Sequence, residues 1–89
     1  LEVLGDGAFS NCTGITFVNT SNSKITTLSK NVFSGCTALE KVIAKSSTTA
    51  EIFAFKGCEN LKDSKTNKYN VFDVDGNYID YSPDVYGDN

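Results

Sequence analysis

The residues with chemistry to offer are few and widely spaced. The chain of 89 residues carries 3 cysteines, 11 acidic and 8 basic side chains, and no histidine. Without His the commonest general base is missing, and with it the Ser-His and Cys-His pairs that activate a nucleophile. Hydrolysis by carboxylates alone needs two of them held across a cleft, and Glu40, Glu51 and Glu59 fall on different parts of the chain. No catalytic residue is assigned, no cofactor is implied, and an enzyme is not expected. The nearest approach to a metal site is Asp73-Val74-Asp75-Gly76-Asn77-Tyr78-Ile79-Asp80, since Asp-x-Asp-Gly places oxygen ligands about a tight turn in calcium loops. The register does not fit: with Gly76 as the turn glycine, the first ligand falls on Val71 and nothing bidentate closes the loop. A β-hairpin suits the alternating apolar residues better, calcium binding being the lesser reading, and no metal ligand is assigned.

An odd number of cysteines leaves at least one thiol free in any pairing scheme. All three occupy one position of a repeated motif, which points to a buried column of thiols acting as small hydrophobes. Side chains stacked in parallel suit a disulfide poorly, and zinc lacks both His and a Cys-x-x-Cys pair.

That motif is what must position everything else. Ala8-Phe9-Ser10-Asn11-Cys12-Thr13-Gly14-Ile15, Val32-Phe33-Ser34-Gly35-Cys36-Thr37-Ala38-Leu39 and Ala54-Phe55-Lys56-Gly57-Cys58-Glu59-Asn60-Leu61 share Phe-x-x-Cys-x-x-Leu/Ile, at offsets of 24 and then 22 residues. A period in the low twenties fits one coil of a leucine-rich solenoid. Three coils are expected, over residues 1–24, 25–48 and 49–68. Each has a short helical or 3₁₀ turn at Phe-x-x-Cys, a short strand after it, as in Ile15–Val18 and Leu39–Ala44, and a polar loop onward. The expected fold class is α/β, a stack of these coils, since one coil cannot bury its own apolar face.

The last residues read as a lid over residues 69–83. Asp75-Gly76 suits a two-residue hairpin turn, which makes Val74 oppose Asn77 and Phe72 oppose Ile79. Phe72, Val74, Ile79 and Tyr81 then share the face laid on the last coil. Pro83 ends the strand, and residues 84–89 read as a frayed acidic tail.

A net charge of −3, with the bases scattered among the acids, argues against nucleic acid. No apolar run approaches the roughly 20 residues needed to cross a bilayer. Leu1-Glu2-Val3-Leu4 opens inside a repeat, so a trimmed mature protein or part of a longer one is expected.

The segments LGDGAFSNCTGI from Leu4, LSKNVFSGCTAL from Leu28 and AEIFAFKGCENL from Ala50 resemble the cysteine-containing coils of the BspA-type leucine-rich repeat family, over roughly residues 1–62. Ala50 stands where Ile or Leu is usual, and a proline that often follows the family's strand is absent. The resemblance implies a right-handed solenoid with a short parallel sheet on one side. It also implies a secreted or surface-anchored protein of host-associated microbes, concerned with adhesion or with binding host proteins.

In such a stack the strand residues between buried positions point outward in ranks. Phe17 aligns with Lys41 and Lys65, and Asn19 with Ile43. These five are the candidate binding residues, with an apolar patch of Phe17 beside Ile43 at their centre. A protein partner is expected, a glycan being the alternative, and the oligomeric state stays open. The competing reading is structural: the C-terminal segment of a longer repeat stalk whose function lies elsewhere.

Overall fold

Left-handed backbone decides the local structure of the motif. In the computed structural model, which describes residues 5–87, each Phe-x-x-Cys segment is a series of tight turns. Amides donate to carbonyls three residues back, as Cys12 to Phe9 (3.2 Å) and Ile15 to Cys12 (3.2 Å), and the same steps recur from Val32 to Leu39 and from Ala54 to Leu61. No α-helix forms among the described residues, and the one helical element is the 3₁₀ turn Pro83–Tyr86. Gly7, Asn31 and Phe53 open the three segments at φ 67°, 57° and 61°, and Asn11, Gly35 and Gly57 interrupt them at 63°, 78° and 79°. A right-handed helix cannot run through such residues. The α/β expectation is thus corrected to short strands joined by turns.

A segment this short has no interior, so its apolar side chains are buried only by the neighbouring copy. Successive copies are joined by backbone bonds: Phe9 N–H donates to the Val32 carbonyl (2.9 Å), Asn11 to Ser34 (2.7 Å), Phe33 to Ala54 (2.8 Å) and Gly35 to Lys56 (2.7 Å). Approach is close enough that a Cβ on Gly35 would collide with Asn11 Oδ1. The rings stack in a column, Phe9 on Phe33 at 5.6 Å and Phe33 on Phe55 at 5.7 Å between centroids. Beside them the thiols of Cys36 and Cys58 donate to the carbonyls of Phe9 (3.2 Å) and Phe33 (3.1 Å). Leu28, Val32, Leu39, Val42, Leu61 and Val71 complete the core, each contributing about 1.5–3 kcal/mol by leaving water.

The strands are β1 (Phe17–Asn19), β2 (Thr27–Leu28), β3 (Lys41–Ile43), β4 (Thr49–Ala50), β5 (Lys62–Asp63), β6 (Lys68–Tyr69) and β7 (Val71–Phe72). A parallel sheet runs β1-β3-β7, a second parallel pair is β2-β4, and β5-β6 is an antiparallel ribbon. Phe17 pairs with Lys41 and Asn19 with Ile43, while Val42 pairs with Val71 and Ile43 with Phe72. The third copy therefore departs from the even spacing. Counting 22 residues on from Val42 puts Ser64 in the inward position, and a serine there would bury a hydroxyl in an apolar slot. Instead the chain leaves after Leu61, makes the β5-β6 ribbon, and returns where Asn70 N–H donates to the Leu61 carbonyl (2.9 Å). Val71 then fills the slot, fully buried.

The hairpin after β7 is also one residue off the expected register. Asp73 N–H donates to the Asn77 carbonyl (2.8 Å), and Phe72 lies opposite Tyr78 rather than Ile79. The loop is the three-residue kind, Val74-Asp75-Gly76 with Gly76 at φ 84°. Asp73 Oδ1 holds it open by accepting the amides of Asp75 (2.9 Å) and Asn77 (3.0 Å). Val74 is in consequence 65% exposed, so the shared face of Phe72, Val74, Ile79 and Tyr81 does not form. Ile79 and Tyr81 pack against the core, and the Tyr81 hydroxyl donates to the Thr48 carbonyl (2.7 Å).

The last described residues are no frayed tail. Val85 and Tyr86 are buried, the carbonyls of Asp84 and Val85 accept the amides of Phe53 and Phe55 (both 3.0 Å), and Tyr86 extends the ring column over Phe55 at 5.9 Å. Two apolar side chains offset the acidity around them, because an uncovered Phe55 would lose its burial. Tyr69 lies flat on Tyr86 at 3.6 Å. The readings placed on Leu1–Leu4 and on residues 88–89 lie outside the described residues.

Candidate interaction surface

Alternation along a strand sends Val18, Val42 and Val71 inward and the residues on either side of them outward. The pairing aligns two outward ranks. The first holds Phe17 and Lys41 and continues to Asn70; the second holds Asn19, Ile43 and Phe72. Phe17 is 51% exposed and Ile43 half-buried one strand over and two residues along, so four of the five sequence-derived residues lie together on one sheet face. Lys65 does not join them. It sits exposed between β5 and β6, and Asn70 takes its place beside Lys41, with its side-chain amide donating to the Glu40 carbonyl (3.3 Å).

Spacing alone misses Phe72, Tyr78 and Lys68. The Phe72 and Tyr78 rings meet at 4.7 Å with an angle of 38° between their planes. The Lys41 ammonium lies 5.5 Å from the centre of the Phe72 ring, and that of Lys68 lies 4.9 Å from Tyr78. Each cation is drawn to the negative face of its ring while its stem covers apolar surface. The signal was present as a valine between two outward residues, in Phe17-Val18-Asn19, Lys41-Val42-Ile43 and Asn70-Val71-Phe72. Beside Phe17 the sheet face borders a concavity of about 380 Å³, lined by Phe9, Ile15, Val18 and Ile25 among others.

Burial pushes the Cys58 thiol up to about 12 and raises that of Cys36 as well, which disfavours the thiolate that a nucleophile needs. Tyr81 is pushed up to about 12 by the same cause. All three cysteines are free. Among the described residues there is no group of three or more His, Cys, Asp or Glu able to hold a metal ion, and no helix long and apolar enough to cross a membrane.

No curated protein and no solved structure matches the chain. A family model described as "BspA type Leucine rich repeat region (6 copies)" matches residues 1–81, nearly the whole length. The match takes in the three Phe-x-x-Cys copies, the β5-β6 ribbon and the hairpin after β7. With the column of rings, the thiols alongside it and the parallel strands that the copies contribute, the chain belongs to the BspA-type leucine-rich repeat family.

Proposed function

We propose that this chain is a non-enzymatic interaction module of a secreted or cell-surface protein, with the outward face of the β1-β3-β7 sheet as its binding surface and adhesion to a protein partner as its role. On this reading the copies are turns of a right-handed solenoid, and the segment after β7 closes one end of it. The observation that carries the proposal is Phe17, half exposed and diagonal to Ile43 on the three-stranded face. Leaving such side chains in water forgoes about 25 cal/mol for each Å² of apolar surface, and a protein that gains nothing from the exposure has polar residues equally able to form the strand.

The test is adherence of beads coated with the chain to a layer of extracellular matrix proteins, compared with beads carrying the F17S/I43S double variant. Wild-type beads should adhere and the variant should not, with both proteins giving the same circular dichroism. Equal adherence by the two would remove the face from consideration and favour a structural segment of a longer stalk.

A further inference from the structure

We infer that the partner segment is an acidic polypeptide with apolar side chains next to its carboxylates; the inference rests on the sheet face being the binding surface. The molecule as a whole is negative, at −3, while the outward ranks of this sheet are locally basic, with Asp80 beyond them in a hollow it shares with Lys68 and Tyr78. The two outward ranks, Phe17-Lys41-Asn70 and Asn19-Ile43-Phe72, contain no carboxylate. Lys45, the next residue on the same alternation, adds a second cation and is anchored by donation to the Ser23 carbonyl (2.9 Å). Lys68 brings a third from β6. Among the described residues neither Lys41 nor Lys68 is paired with a carboxylate; each lies against a ring instead.

The arrangement at the centre is therefore an aromatic pair, Phe72 and Tyr78, with an ammonium over each ring. Such a site discriminates by chemistry. A purely apolar segment laid across it would strip water from both ammonium groups without supplying a counter-charge, which is costly. A polyanion without apolar groups would reach the lysines and leave Phe17, Ile43 and Phe72 wet. A segment alternating carboxylate and apolar side chains satisfies both. Electrostatic attraction would also speed its encounter with this face, against the repulsion offered by the rest of the surface.

The probe is a short blocked peptide alternating Glu and Leu, titrated onto the isotope-labelled full chain and followed by amide chemical shifts. The same peptide with Lys for Glu, polyglutamate and heparin run beside it. The Glu-Leu peptide should shift amides around Lys41, Ile43, Asn70 and Phe72. Its affinity should fall roughly two- to fivefold with each of K41Q and K68Q, and fall again as salt is raised. The Lys-Leu peptide should not bind. Binding of the Glu-Leu peptide unchanged by K41Q and K68Q, no binding of it at all, or tighter binding of heparin with the same lysine dependence would each overturn the inference. If any of these occurs while F17S/I43S still abolishes bead adherence, only the partner class is wrong. If adherence is also indifferent to F17S/I43S, the binding surface itself is wrong.

Discussion

Replacing Val71 by alanine tests the choice of register on which the third copy depends. Val71 is fully buried against Val42, whereas Val74, three residues on, is 65% exposed. V71A removes two methyl groups, worth about 1.6 kcal/mol of transfer free energy at ~0.8 kcal/mol each. The cavity left in the core beside Val42 adds to this, for a total of about 2–3 kcal/mol. V74A alters a side chain already in water and should stay within about 0.5 kcal/mol. A domain of this size has a stability of roughly 4–13 kcal/mol, so the first substitution takes a large share of it. Melting should fall by about 10–20 °C. Urea unfolding followed by far-ultraviolet circular dichroism gives the comparison, provided the two variants unfold with the same dependence on denaturant. If V71A costs no more than V74A, then Val71 is not the residue that occupies the inward slot, and the ribbon excursion that delivers it there is refuted.

Two further expectations concern strain and ionisation. Phe53 stands at φ 61° where the other copies place Gly7 and Asn31, and a left-handed backbone penalises a β-branched residue most. F53V should be about 1–2 kcal/mol less stable than F53N in the same urea experiment; equal stability would mean that the position is unstrained. For the ionisations, the native pKa values of Cys58 and Tyr81 lie above their ordinary ones of 9.0 and 10.0 because burial disfavours the anions. The unfolded chain therefore loses these protons first as the solution becomes alkaline. The stabilisation is complete below about pH 9 and declines from there toward pH 12. Melting temperature measured across that range should fall, and C58A should flatten the early part of the decline. A flat profile would show that Cys58 is not buried as a thiol.

The column of rings and thiols was legible because it needs only a fixed spacing between Phe and Cys, and turn geometry keeps that spacing rigid. Four of five surface residues followed from it. Lys65 did not, because a second step of 24 residues aligns it with Lys41 while the third Phe-x-x-Cys copy follows the second after 22. The third copy obeys a different constraint, an apolar residue in the inward slot, and Ser64 fails it where Val71 satisfies it. The hairpin register was missed because Asp75-Gly76 is common to two- and three-residue loops; the side chain of Asp73, bonded to two amides, selects the longer. Val85 and Tyr86 were hidden by their acidic neighbours. Yet Val85-Tyr86 repeats the small-apolar-then-aromatic pair of Val32-Phe33 and Ala54-Phe55, and that pair rather than the local charge determines what the column accepts.

The ribbon from Lys62 to Tyr69 enters and leaves at a single point, pinned where Asn70 meets Leu61. Its length is thus independent of the stack, and lengthening a loop whose ends already touch costs little, about 0.6 kcal/mol for each doubling. Here is the molecule's graft point. Foreign sequence spliced between Asp63 and Lys68 would be displayed at the exposed turn of the ribbon without any interior residue having to adjust.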